Sequence, residues 1–277
     1  MCPALKRLSM NDVALLTTPC FEPYQHMGLM ELDAPIDQVF IPDTGLFGGP
    51  SILAHFPRLQ VFNTRLTERL PHVPYGDMRD QIKRFCPFLE GVGIDAPEIV
   101  STSLLNDTFQ TLTCITVKKL SSNVILAILA HQRTLESLST VRLQDCDQEQ
   151  FLQLRVEQPS VPEQELQLIP HRCARLTTLA LPQFEMGIEE VEKAGWSCTD
   201  LNDLYIRIRE LNTRTKIDRA IKFWVYWRVF EHPSSAPIGA ISYGNSIEER
   251  VARYLARFQR LQKVWLGHKI VQTPSLQ

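Results

Sequence analysis

Cys86-Pro87-Phe88-Leu89-Glu90-Gly91-Val92-Gly93-Ile94 decides how the chain folds. A cysteine, two residues, a leucine, two residues, an aliphatic, one residue and a second aliphatic form a pattern that recurs along nearly the whole sequence. Cys2 leads through Leu5 to Leu8 and Met10, Phe109 through Leu112 to Ile115 and Val117, and Cys173 through Leu176 to Leu179 and Leu181. Cys198, Leu201, Leu204 and Ile206 repeat it, as do Phe258, Leu261, Val264 and Leu266. Phe56, Leu59 and Phe62 make a weaker copy, because Thr64 stands where an aliphatic is expected. Random ordering yields about half a strict match, whereas this chain contains six.

In each copy the last two apolar residues are two apart, so they point to one face of a short strand, and the leucine turns inward ahead of them. The stretches between copies supply return segments: Ile99 to Leu105, Val124 to Leu135 and Gly187 to Ala194 read as helices with an apolar side. One such unit cannot cover its own apolar face, so neighbours stack and share a core. Two long gaps are expected to hold further units, Ile36 to Ile41 and Leu138 to Cys146. The leading positions then fall 23 to 38 residues apart, the widest spacing marking an insertion around Gln158 to Gln164. The expected fold is α/β: a leucine-rich-repeat solenoid over residues 1–211, short parallel strands on its concave face and helices or irregular turns on the convex one, then a basic helical extension over 212–277 ending in a last repeat-like strand.

Composition agrees with a folded globular chain: 277 residues, 44% hydrophobic, 22% charged, net charge -2 and mean hydropathy -0.11. The near-neutral total hides a contrast. From Tyr205 onward there are 13 Lys and Arg against 5 Asp and Glu, a net of +8, which leaves -10 for the rest. In the basic part Ile217, Ile221, Trp224 and Val225 form one apolar stripe, and Ile247, Val251, Tyr254, Leu255 and Phe258 another. Ser246 and Glu249 are spaced as a capping box at the start of the second.

An odd count of seven cysteines argues against a secreted disulfide scaffold. The N-terminus lacks the apolar core of a signal peptide, and the aliphatic run from Val124 to Ala130 is far short of the roughly 20 residues of a membrane span. A reducing compartment, cytosol or nucleus, is the expectation, with no membrane partner. Phosphate-loop, zinc-protease, nucleophile-elbow and Cys-x-x-Cys motifs are absent. Gly91-Val92-Gly93 superficially fits a dinucleotide fingerprint, but Pro97 follows where the helix should continue. No catalytic residue, metal ligand or cofactor is expected; Asp145-Cys146-Asp147 is the nearest approach, and Cys146 fits the downstream cysteine position of its own unit.

The Cys-x-x-Leu-x-x-Leu-x-Leu units resemble the cysteine-containing class of leucine-rich repeats, common in F-box proteins, the substrate receptors of cullin-RING ubiquitin ligases. Trp196-Ser197-Cys198-Thr199-Asp200-Leu201, Leu204-Tyr205-Ile206-Arg207-Ile208, and Arg250-Val251-Ala252-Arg253 through Val264-Trp265-Leu266-Gly267 resemble large fungal families of F-box-like repeat proteins. The resemblance covers about residues 1–270 and implies a protein–protein interaction scaffold, the substrate-recognition part of such a receptor. The F-box is a three-helix module ahead of the repeats, whereas this sequence starts inside a repeat strand at Cys2. A ligase adaptor is therefore an expected partner only if an F-box lies upstream.

The partner is expected to be another protein, met on the concave face by Arg142, Tyr205, Arg207 and Trp265, since aromatic and Arg side chains supply contact area and directed bonds. The alternative is that Tyr205 and Trp265 pack beneath a loop. A second functional reading uses Arg250, Arg253, Arg257, Arg260 and Lys263 as a basic face for nucleic acid or an acidic partner. Against it stands the simpler expectation of a solvated helix surface beside acidic repeats.

Overall fold

Within each unit a single carbonyl organises the step from one strand to the next parallel one. In the first unit the residue after a leading leucine offers its C=O to two consecutive N–H groups of the next repeat: Lys6 to Met30 and Glu31, Met30 to Gln60 and Val61, Gln60 to Glu90 and Gly91, Glu90 to Thr113 and Cys114, all at 2.8–3.1 Å. The same fork recurs from Glu136 to Thr177 and Thr178, from Thr177 to Asn202 and Asp203, and from Asn202 to Gln262 and Lys263. Each fork delivers the chain into a parallel strand already in register with the previous one.

The computed structural model describes residues 5–9, 27–35, 39, 52–65, 75–106, 112–141, 161–229, 246–267 and 270–272. The chain is α/β and divides into two units, Met1–Leu135 and Glu136–Gln277. In the first, strands β1 (Arg7–Ser9), β2 (Glu31–Pro35), β3 (Val61–Arg65), β4 (Gly91–Asp95) and β5 (Cys114–Val117) pair in chain order, all parallel. A 3-10 turn (Ile52–His55) and helices α1 (Tyr75–Phe85), α2 (Glu98–Leu105) and α3 (Ser122–Leu129) carry the chain back. In the second unit β6 (Ser137–Ser139), β7 (Thr178–Met186), β8 (Asp203–Ile208) and β9 (Lys263–Trp265) are parallel, and β10 (Ile270–Gln272) turns back antiparallel on β9. That reversal runs through Gly267 at φ +109°, a conformation costly for any residue with a Cβ. Helices α4 (Glu163–Arg172), α5 (Ile188–Ala194), α6 (Arg214–Val229) and α7 (Ile247–Ala256) complete it. Among the described residues no helix is long and apolar enough to cross a membrane.

The repeated positions are the core. Leu29, Leu59, Leu89, Leu112, Leu135, Leu176, Leu201 and Leu261 are at most 1% exposed. The inward strand residues follow them: Leu32, Phe62, Val92, Ile115, Leu138, Leu179, Leu204 and Val264 are all buried. Each such side chain stabilises the fold by about 1.5–3 kcal/mol relative to exposure. The leading Cys or Phe fills the corner before the strand. Its carbonyl accepts the N–H of the leucine three residues on, from Phe56 to Leu59, Cys86 to Leu89, Cys173 to Leu176 and Phe258 to Leu261, so the backbone does the same work whichever side chain fills the space.

The two units expected in the long gaps are displaced. The strand is Glu31–Pro35, led by Leu29, and Ile36 to Ile41 lies outside the described residues except for Val39. The other is led by Leu135, three residues before Leu138, which instead sits inside β6. In both, the final inward position holds a residue the strict pattern rejects: Ala34, fully buried, and Thr140, 2% exposed. Thr140 satisfies its hydroxyl on Ala180 O at 3.4 Å. Thr64 holds the same position at 1% exposure, and its Oγ1 has no hydrogen-bond partner. Cys146 and the region 142–160 are outside the described residues.

The return helices match their apolar stretches. In α3 the Ser121 hydroxyl accepts the Val124 N–H at 3.3 Å and caps the helix, and Val124, Ile125 and Ile128 face inward. His131, which follows it, bonds through Nε2 to Leu105 O at 2.9 Å, tying the end of α2 to the next turn. At α5 two carboxylates from other segments meet the helix start: Glu163 takes the Gly187 N–H and Glu210 takes the Ile188 N–H at 3.1 Å, a favourable place for negative charge. Arg209 closes the knot on Glu163 at 2.6 Å. The basic helices belong to this same unit. Ile217, Ile221 and Trp224 of α6 are buried as the stripe requires, while Val225 is half-buried. Ser246 Oγ accepts the Glu249 N–H at 3.3 Å, as the capping spacing predicts. Arg228 of α6 donates to the carbonyls of Leu261 and of Gln259, the latter at 2.8 Å, and so holds the turn that enters β9.

Two measurements test this core. Thr64→Val removes a buried hydroxyl that lacks a partner and is expected to raise the unfolding free energy by about 1–2 kcal/mol in urea titrations; no gain would show that the hydroxyl is satisfied. Burial pushes the thiols of Cys86, Cys173 and Cys198 up to about 12. In the unfolded chain they ionise near 9, so their contribution is fully present below pH 9 and is lost as pH rises toward 12, by about 1.4 kcal/mol per thiol per pH unit. Peptide mapping after iodoacetamide at pH 8 should find these three unmodified in the folded chain and the half-exposed Cys114 modified.

Candidate interaction surface

Strand alternation turns every second side chain away from the leucines, and the register lines those side chains up into rows. In the first unit one row runs Arg7, Glu31, Val61, Gly91, Cys114, and the next Ser9, Asp33, Asn63, Gly93, Thr116. Arg65 of β3 and Asp95 of β4 are partners in a third. The members are joined across strands. Glu31 receives Arg7 Nε at 3.3 Å and Asn63 Nδ2 at 3.0 Å, and Lys118 Nζ meets Asp95 at 2.8 Å. Side-chain exposure of 43% for Arg7, 47% for Asp95 and 59% for Lys118 keeps these groups in reach of another molecule. Such exposed pairs add at most about 1 kcal/mol each to stability; their effect is to hold side-chain positions. Gly91 and Gly93 lie within β4, and a Cβ on Gly93 would stand 2.2 Å from Asn63 Oδ1. A side chain at 93 would displace the Asn63 amide, which bonds Glu31. The fingerprint-like glycines thus sit inside a strand, away from any helix start.

In the second unit the corresponding rows are Ser137, Thr178, Asp203, Lys263 and Ser139, Ala180, Tyr205, Trp265. Here the expected contact residues fall differently. Trp265 has no accessible surface and Tyr205 is 7% exposed, so the expectation of solvent-facing rings is corrected: both are packed. Arg207 stacks its guanidinium over the Trp265 ring, 5.0 Å from the centroid, and donates Nε–H to Pro182 O at 2.7 Å. That carbonyl is brought in by a bulge: Ala180 pairs with Tyr205 while Glu185 pairs with Arg207, so residues 181–184 of β7 face Ile206 alone. Burial lowers the Arg207 pKa from its ordinary value, opposed in part by Glu185. Burial, with Asp203 beside it, pushes the Tyr205 hydroxyl up to about 12. Arg142 lies outside the described residues. An indole and a phenol bury more area against an arginine stem and a bulged strand than a flat polar row could, and that gain turns them into core.

The basic face is largely engaged within its own unit. Arg250 reaches Glu192 of α5 at 2.5 Å, and Arg260 reaches Asp200 at 3.4 Å. Arg257 lies over the Tyr254 ring at 5.2 Å. Hydrogen bonding to Glu192 raises the Arg250 pKa. Arg253 is exposed. Helix α5, which carries Glu192, and helix α7, which carries Arg250, are thus joined by an ion pair. Behind them an apolar void of about 10 Å³, among Ile188, Trp196, Leu204, Ile206, Tyr254 and Leu255, holds no more than a water molecule. Among the described residues no three His, Cys, Asp or Glu side chains are grouped to bind a metal ion.

The polar groups outside the core of the first unit were partly within reach of sequence reasoning. Asn63 lies between the inward Phe62 and Thr64, and Asp95 follows the inward Ile94, so alternation alone selects both; it does not show that Asp33, in register with Asn63, is buried. No family model matches the chain, and no curated protein matches it.

Arg207→Ala should uncover the Trp265 indole and increase acrylamide quenching of tryptophan fluorescence. Adding Trp265→Phe should abolish the increase; an increase that persists would place the newly quenched indole elsewhere. A double-mutant cycle on Arg250 and Glu192, both only partly shielded, is expected to give a coupling of about 0.5–1 kcal/mol that shrinks in 1 M salt.

Proposed function

We propose that the chain is a leucine-rich-repeat solenoid of the cysteine-containing class and serves as a protein–protein interaction scaffold. One observation carries this reading. Strand after strand places a buried apolar residue at the inward position, Leu32, Phe62, Val92 and Ile115, while the side chains outside the core vary without regularity, Arg7 and Glu31 in one row, Asn63 in the next, and Asp95 with Lys118 at the strand ends. A regular backbone with freely varied outer side chains suits recognition of another protein. The exposed charged groups of the first unit, Arg7, Asp95 and Lys118, mark the proposed contact surface. The partner class follows from the repeats' resemblance to F-box-type substrate receptors: the chain is the substrate-recognition part of a ubiquitin ligase, working in the cytosol or nucleus. The free buried thiols of Cys86, Cys173 and Cys198 suit that setting.

Affinity purification with mass spectrometry is the test, run on three forms of the chain. Asp95→Lys with Lys118→Asp keeps the internal ion pair but reverses its pattern; Lys83→Glu on the exposed side of α1 is the control. Partner recovery is expected to fall roughly tenfold for the reversed pair and to stay at the wild-type level for the control. Equal recovery from all three would remove this surface from consideration. Co-purification of ubiquitin-ligase adaptors would support the receptor assignment, and partners without them would leave a scaffold of another kind.

A further inference from the structure

We draw no further inference here: the strongest candidate, the nearly uncharged outer side of the return helices α2 and α3 with Ile99 and Leu126 more than 60% exposed, is an apolar face and nothing in the structure shows what covers it.

Discussion

The forked carbonyl after each leading leucine is the constraint on which the rest depends. It accepts two N–H groups from the next repeat, so it sets both the start of the following strand and its register. Register in a parallel sheet decides which side chains are buried, since a slip of one residue would exchange the two faces of every strand. With the forks at Lys6, Met30, Gln60 and Glu90 in place, Leu32, Phe62, Val92 and Ile115 must all point inward. The return segments differ widely in length without disturbing this, because only the fork and the corner ahead of it need to be reproduced. Between β8 and β9, accordingly, two full helices intervene without disturbing the register.

Freed from the core, the outer rows take two different courses. In the first unit, short polar side chains bond their neighbours across strands and remain partly exposed. In the second, large side chains fold down on the sheet, Arg207 over Trp265, and the β7 bulge supplies the carbonyl that a desolvated guanidinium needs. Both arrangements immobilise side chains, the first through ion pairs and amide bonds, the second through stacking and a backbone carbonyl. The ionic contacts follow a related pattern. Glu163, Glu192 and Asp200 come from the acidic stretch and Arg209, Arg250 and Arg260 from the basic one, so three ion pairs within the second unit join the two stretches.

The repeat itself was legible because its physical requirement is strict. A corner, an inward leucine and two same-face residues permit few substitutions, and Leu89, Leu112, Leu176, Leu201 and Leu261 are all found where the pattern puts them. Helices α2, α3, α5 and α7 were legible for a related reason, as each is an apolar stretch of the length a return segment needs. The two misplaced units show where this stops. Ala34 and Thr140 occupy inward positions that a search for large aliphatics passes over. The site was harder to read, since outward positions carry no pattern of their own and an aromatic ring there can face solvent or lie flat. Tyr205 and Trp265 illustrate it: composition marks them as contact residues, and packing buries them.

By itself the amino-acid sequence determined the period, the inward side of most strands and the charge imbalance between stretches, because each is a local property of spacing or count. Only the tertiary structure decided where the forks place β2 and β6, which outward residues stay in solvent, and which arginines are already paired. Those outcomes depend on neighbours 20 to 60 residues away, as in the Arg250–Glu192 bond across 58 positions. No local pattern records the distance between such groups; the stacking of repeats brings them together.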